Sequence, residues 1–157
     1  MSLIPENAYL CLQIRQNVNK HEVKTVWQAD MAFDSQVNGA HTLRIDSPMD
    51  GSAPSGPGPK ALLLTALSGC TGMDVVALLR KMRVEFTRLE VNAEAELTEE
   101  HPKVYREILL TYRVAGPDIS EEKVCKAIEM SQDRYCGVSA MLRAHCPIRY
   151  ELIVEQE

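Results

Sequence analysis

The stretch over residues 61–80, ALLLTALSGCTGMDVVALLR, constrains this chain more than any other. Leu62, Leu63, Leu64, Ala66, Leu67, Met73, Val75, Val76, Ala77, Leu78 and Leu79 leave almost no polar face. A helix of that kind in water must be buried on most sides. Pro59 stands where the helix should start, at a position that needs no backbone donor. A bilayer span of about 20 residues is the competing reading of such a run. It would place Asp74 in hydrocarbon and leave the alternating segments on both sides without a sheet to complete. A core helix explains the same letters. Cys70 sits near its middle among Ser68, Gly69, Thr71 and Gly72. Each glycine inside a helix costs about 1 kcal/mol relative to alanine, so the pair marks either tight packing or access to the sulfur.

A chain of 157 residues can bury a core of its own. Residues 22–157 read as one domain, and residues 1–21 as an arm or extra strand in which Ala8, Leu10, Leu12 and Ile14 alternate with polar positions. The formal net charge of -5 argues against a nucleic-acid binder, which would carry a basic stripe. Five cysteines in no regular spacing, with no basic leader region at the start, suit reduced thiols in the cytoplasm rather than a disulfide framework.

Around the central run the letters change period. Val23, Thr25, Trp27 and Ala29 alternate, and Asn38-Gly39 supplies a hairpin turn before 41–45. Residues 47–60, SPMDGSAPSGPGPK, read as a loop. Leu89, Val91, Ala93, Ala95 and Leu97 define a half-buried strand, and Ile108, Leu110, Tyr112 and Val114 its returning antiparallel neighbour. Ser120 caps a second helix running to about Asp133 with Val124, Ala127, Ile128 and Ser131 on its inner face. Tyr135-Cys136-Gly137 breaks it, a short helical piece follows over 138–144, and Ile148, Tyr150, Leu152 and Val154 form a last strand. Strands in runs with helices between the runs argue for an α+β fold.

Free cysteine mostly fills space, which is the reading given to Cys11, Cys125 and Cys146. Cys70 and Cys136 differ, since each lies among small residues where a ligand or another backbone can approach. Spacing does not choose between those two uses. His145 beside Cys146 lacks the pairing of a zinc site, His21, His41 and His101 are scattered, and there is neither a CxxC nor a glycine-rich phosphate loop. The spacing therefore implies no metal and no nucleotide cofactor.

PKALLLTALSGCTGMDVV resembles the first cysteine motif of the OsmC/Ohr family of thiol peroxidases, and SQDRYCGVSAML resembles the second, as in the family's YhfA-like branch. The resemblance runs over roughly residues 22–154. It implies an intertwined α+β homodimer of antiparallel sheets and two main helices, the first a buried central helix, with active sites at the subunit interface. It makes Cys70 the peroxidatic thiol, Cys136 the resolving one, an organic hydroperoxide the substrate and a lipoyl-type dithiol the reductant. An activating cation is then required, because a thiol with a pKa near about 8.5 is only slightly ionised at neutral pH. Arg44, in HTLRID, matches an arginine of OsmC-type members in position, with Arg80, Arg83, Arg134 and Arg143 as further basic side chains. The family's glutamate after the helix-starting proline is replaced here by Lys60 and Ala61. Asp74, four residues beyond Cys70 and on the same helical face, could hold the arginine instead, or could raise the thiol's pKa by repulsion. The alternative function is a non-catalytic dimer that binds a small apolar or electrophilic ligand.

Overall fold

The computed structural model describes residues 20–157, so the strand expected over 8–14 lies outside the described residues. The chain forms two compact units, with the boundary between Pro59 and Lys60.

The N-terminal unit is an antiparallel meander of β1 (Val23–Ala29), β2 (Ala32–Val37) and β3 (His41–Ile45). Asn38 and Gly39 turn β2 into β3 at φ 48° and 68°, a pair of left-handed conformations that asparagine and glycine tolerate best. That turn fixes the register, with Val37 opposite His41 and Asp34 opposite Arg44. The Pro/Gly/Ser-rich loop folds back on the end of β3. The Ser55 backbone N–H and hydroxyl both donate to Asp46 Oδ2 at 2.8 Å, and the Asp46 N–H donates to the Pro57 carbonyl at 3.2 Å. A Cβ at Gly56 would lie 2.4 Å from the Arg44 carbonyl oxygen, so only glycine fits there.

The C-terminal unit opens with α1 (Pro59–Lys81) and continues through β4 (Arg88–Leu97), β5 (Tyr105–Gly116), α2 (Glu121–Met130), a π-helical turn (Ser131–Tyr135), α3 (Gly137–Arg143) and β6 (Ile148–Gln156). β4 pairs antiparallel with β5, as the alternation predicts. β6 pairs with β5 in parallel, so this sheet is mixed rather than wholly antiparallel. The reason is the connection: α2, the π-helical turn and α3 intervene between β5 and β6, and a crossover of that length returns the chain in the same direction. β5 is the central strand, and Ile108, Leu110, Tyr112 and Val114 on it are fully buried.

Ser120 caps α2 by accepting from the Lys123 N–H at 3.4 Å, and Val124, Ala127 and Ile128 are buried as its inner face. Of α1, the chain covers one stripe: Leu67, Thr71, Val75, Leu78 and Leu79 are buried. These join the β5 residues and the α2 face in one core. Each such aliphatic side chain contributes about 1.5–3 kcal/mol on burial. The other faces of α1, including Leu63 and Met73, are open in a single chain. The helix is long and apolar enough by composition to cross a bilayer, yet its buried stripe belongs to the core of this unit.

Candidate dithiol site

Helical periodicity puts Cys70 and Asp74 one turn apart on α1, beside the buried residue Thr71. The C-terminal end of α2 supplies the other side. There the helix widens into the π-helical turn, a distortion often found at functional positions. The turn ends at Cys136, whose N–H donates to the Ser131 carbonyl at 2.8 Å and whose Sγ accepts from the Ser139 N–H at 3.3 Å, capping α3. Cys136 is almost fully buried, and Cys70 is partly exposed.

These elements bring the Cys70 sulfur, the Cys136 sulfur and a carboxylate oxygen of Asp74 within 4.8 Å of one another. Both cysteines are free thiols. Behind them runs a buried chain of hydroxyls. Ser131 Oγ donates to Asp74 Oδ2 at 3.0 Å, which uses its only proton. Thr71 must then donate to Ser131 across 3.0 Å, and Tyr112 to Thr71 across 2.6 Å. The chain is directional and ends on the Asp74 carboxylate, so it fixes where that carboxylate points.

The electrostatics oppose ionisation of Cys70. Burial is the largest influence pushing its pKa up, its contact with Cys136 and the nearby charges of Cys136 and Asp74 add to this, and a hydrogen bond to the Val138 backbone works the other way. No cation is among the groups acting on the thiol. Asp74 makes no ion pair with arginine among the described residues. Arg143 is engaged elsewhere, donating to Asp133 at 2.9 Å and to Gln132 at 2.8 Å. Arg80, Arg83 and Arg134 are exposed.

Arg44 lies in the N-terminal unit on β3. Its Nε and Nη2 donate to Asp34 Oδ1 and Oδ2 at 2.5 and 3.2 Å, a two-pronged pair that raises the pKa of the guanidinium, the hydrogen bond it donates to Asp34 being the first cause. No motif in the sequence marks Asp34 as a site residue. Counting register outward from Asn38-Gly39 would have found it, since residue 34 falls opposite 44. Thr71, Tyr112 and Ser131 were also missed as site residues, because a hydroxyl facing inward from a helix or strand carries no motif. Among the described residues, Gln132 Nε2 and Ser139 Oγ are buried without a partner, and both belong to the segments flanking Cys136.

Beside the dithiol face, α1 and β4 border an open groove of about 570 Å³ lined in part by Gly69, Gly72, Met73, Val76, Leu89 and Val91. A Cβ at Gly69 would meet nothing, and one at Gly72 would only touch Val91 at 3.5 Å. The two glycines therefore leave a surface open rather than relieve a close contact within the chain.

Fold and site together define an α+β protein with a dithiol whose one sulfur lies on α1 and whose other lies at the N-cap of α3. The family model described as OsmC-like protein matches residues 50–151, and the chain belongs to that family. It is 31% identical over 121 residues to Protein YhfA of Escherichia coli strain K12, a match covering 77% of this chain and 88% of YhfA. The crystal structure of a hypothetical protein from Aquifex aeolicus VF5 superimposes with a TM-score of 0.80 at 26% identity, over 89% of this chain and 99% of that one. An organic hydroperoxide resistance protein from Elizabethkingia anophelis shares the fold, with a TM-score of 0.63 at 14% identity over 90% and 99% of the two chains.

Proposed function

We propose that the protein reduces organic hydroperoxides with the Cys70–Cys136 pair, as a homodimer in the cytoplasm. The observation that carries the reading is the approach of the two sulfurs to within 4.8 Å of each other on a helix and a helix break. In the reaction the Cys70 thiolate attacks one oxygen of the peroxide bond. The O–O bond breaks, Cys70 becomes a sulfenic acid, and the other oxygen leaves as the alcohol after taking a proton. The Cys136 thiol then displaces water from the sulfenic sulfur, giving the disulfide. A lipoyl-type dithiol reduces that disulfide by exchange and is itself oxidised. Cys70 takes the peroxidatic role because it is the more exposed sulfur, and Cys136 the resolving role because it is buried behind it.

Burial and Asp74 both hinder ionisation of Cys70, so this reading assigns Arg44 the activating role, in line with the resemblance. Asp34 then does the work of the family's glutamate, holding the guanidinium fork in one orientation. Exposed apolar side chains on both units, Trp27 and Val23 in one and Leu63 and Met73 in the other, favour a second copy as their cover. The same resistance to ionisation favours the second reading, a non-catalytic dimer that binds a small apolar or electrophilic ligand.

The test is peroxide consumption with an organic hydroperoxide and a reduced lipoyl donor. Wild type should turn over, Cys70→Ser should lose all thiol-dependent turnover, and Arg44→Met should lose most of it. Turnover unchanged in Cys70→Ser sinks the proposal. No turnover in wild type together with saturable ligand binding in Cys70→Ser establishes the second reading.

A further inference from the structure

We infer that Cys70, Asp74 and Cys136, while the cysteines are reduced, form a binding site for one soft divalent cation such as Zn²⁺. Three donor atoms, two sulfurs and a carboxylate oxygen, already lie within 4.8 Å of one another. In a tetrahedral zinc site the metal stands about 2.3 Å from sulfur and about 2.0–2.2 Å from a carboxylate oxygen, which sets donor–donor separations of roughly 3.5–3.8 Å. The three atoms must close by about 1.3 Å at most, a shift within reach of side-chain rotation. Two thiolates and a carboxylate are the donor set that soft-to-borderline ions select over magnesium or calcium.

The surroundings support the same conclusion. Zinc ligands are commonly oriented by hydrogen bonds from behind, and Asp74 has one: Ser131 Oγ at 3.0 Å, itself held by Thr71 and through it by Tyr112. Cys136 Sγ accepts the Ser139 N–H at 3.3 Å, which orients that sulfur. Both sulfurs would ligate such an ion as thiolates. Binding therefore exchanges one divalent ion for the two thiol protons, M²⁺ entering and two H⁺ leaving, with no change of oxidation state. Three protein ligands leave the fourth position to water.

The site uses the same sulfurs as the hydroperoxide reaction, so an ion bound there withholds both from peroxide and from each other. The dithiol would then have two exclusive states, metal-bound or redox-active, and oxidation to the disulfide would expel the ion. Sequence spacing does not reveal this site, because Cys70 and Cys136 lie 66 positions apart and only Cys70 and Asp74 show helical ligand spacing.

The experiment titrates reduced, metal-free protein with Zn²⁺ against a chromogenic chelator, and with Cd²⁺ while recording the ultraviolet thiolate-to-cadmium charge-transfer band, without peroxide present. Wild type should bind about one ion per chain with a band intensity for two thiolates. Asp74→Asn and Ser131→Ala should each weaken Zn²⁺ binding by about tenfold or more, and Cys136→Ser should halve the Cd²⁺ band. Bound Zn²⁺ should also protect Cys70 and Cys136 from a thiol reagent. Absence of the Cd²⁺ band in wild type overturns the inference, as does full Zn²⁺ affinity in both Asp74→Asn and Ser131→Ala. The readouts are independent of turnover: Zn²⁺ binding without peroxide reduction leaves the metal site standing alone, and turnover without Zn²⁺ binding removes it while sparing the peroxidase reading.

Discussion

The two three-stranded sheets of this chain contrast sharply. In β4-β5-β6 the central strand is buried along its inward positions, and α1 and α2 contribute residues to the same core. In β1-β2-β3 every residue of β1 is exposed, Ser35 is the only buried residue of the three strands, and Trp27 is 62% exposed. Both show the alternation of a half-buried strand in sequence, but only one has its apolar face covered among the described residues. A sheet of three strands gains independent stability from a hydrophobic face or from packing against a helix. Alternation therefore reports that a face is to be buried without saying which chain buries it.

The largest effect expected from this contrast is in the core of the C-terminal unit. Leu79 is fully buried among α1 and sheet residues, so Leu79→Ala should cost about 2–5 kcal/mol, read as a fall in the urea midpoint at unchanged slope. A cost below about 1 kcal/mol would mean that the core is not closed within one chain, and the contrast would collapse.

The second effect is on the thiol. Within the C-terminal unit the net influence on Cys70 is upward, chiefly from burial and then from Cys136, with Asp74 adding repulsion. A raised thiol pKa lowers the thiolate fraction at neutral pH, so alkylation of Cys70 should accelerate as pH rises through and beyond the ordinary thiol value of about 8.5. Asp74→Asn removes a repelling charge and should move the midpoint of that rise down. The role proposed for Arg44 predicts the opposite for Arg44→Met, a midpoint moved up, and an unmoved midpoint would return Arg44 to being only the cross-strand partner of Asp34. Rates measured by mass spectrometry on a Cys136→Ser background would keep the two sulfurs apart.

How far the sequence reached follows from the kind of signal each feature leaves. The α1 run, the Asn38-Gly39 turn, the Ser120 cap and the break at Cys136 are local chemistry, and each falls where the letters put it. The parallel pairing of β6 with β5 was not legible, because direction is set by the path of the 31-residue connection between Gly116 and Ile148 and not by anything in Ile148 to Val154. The proximity of Cys70 and Cys136 came from a resemblance of motifs, since no physical rule links sulfurs so distant in sequence. The hydroxyl chain from Tyr112 to Asp74 came from neither, being a product of how a strand, a helix and a π-helical turn meet.

The smallest expected effect on folding decides what the bare sheet is for. Trp27 Nε1 donates to the Asp30 carbonyl at 3.1 Å, but its ring lies mostly in solvent. An exposed substitution of this kind changes the stability of the chain that carries it by about 0.5 kcal/mol or less. Trp27→Ser should therefore leave the urea midpoint of dilute protein close to wild type while weakening self-association in sedimentation at higher concentration, because a large aromatic side chain is the kind that anchors an interface. A large loss of stability in dilute protein would show that the ring is packed within its own chain. Unchanged sedimentation would show that no second copy rests on β1, and the open alternation of that strand would have to answer to a different partner.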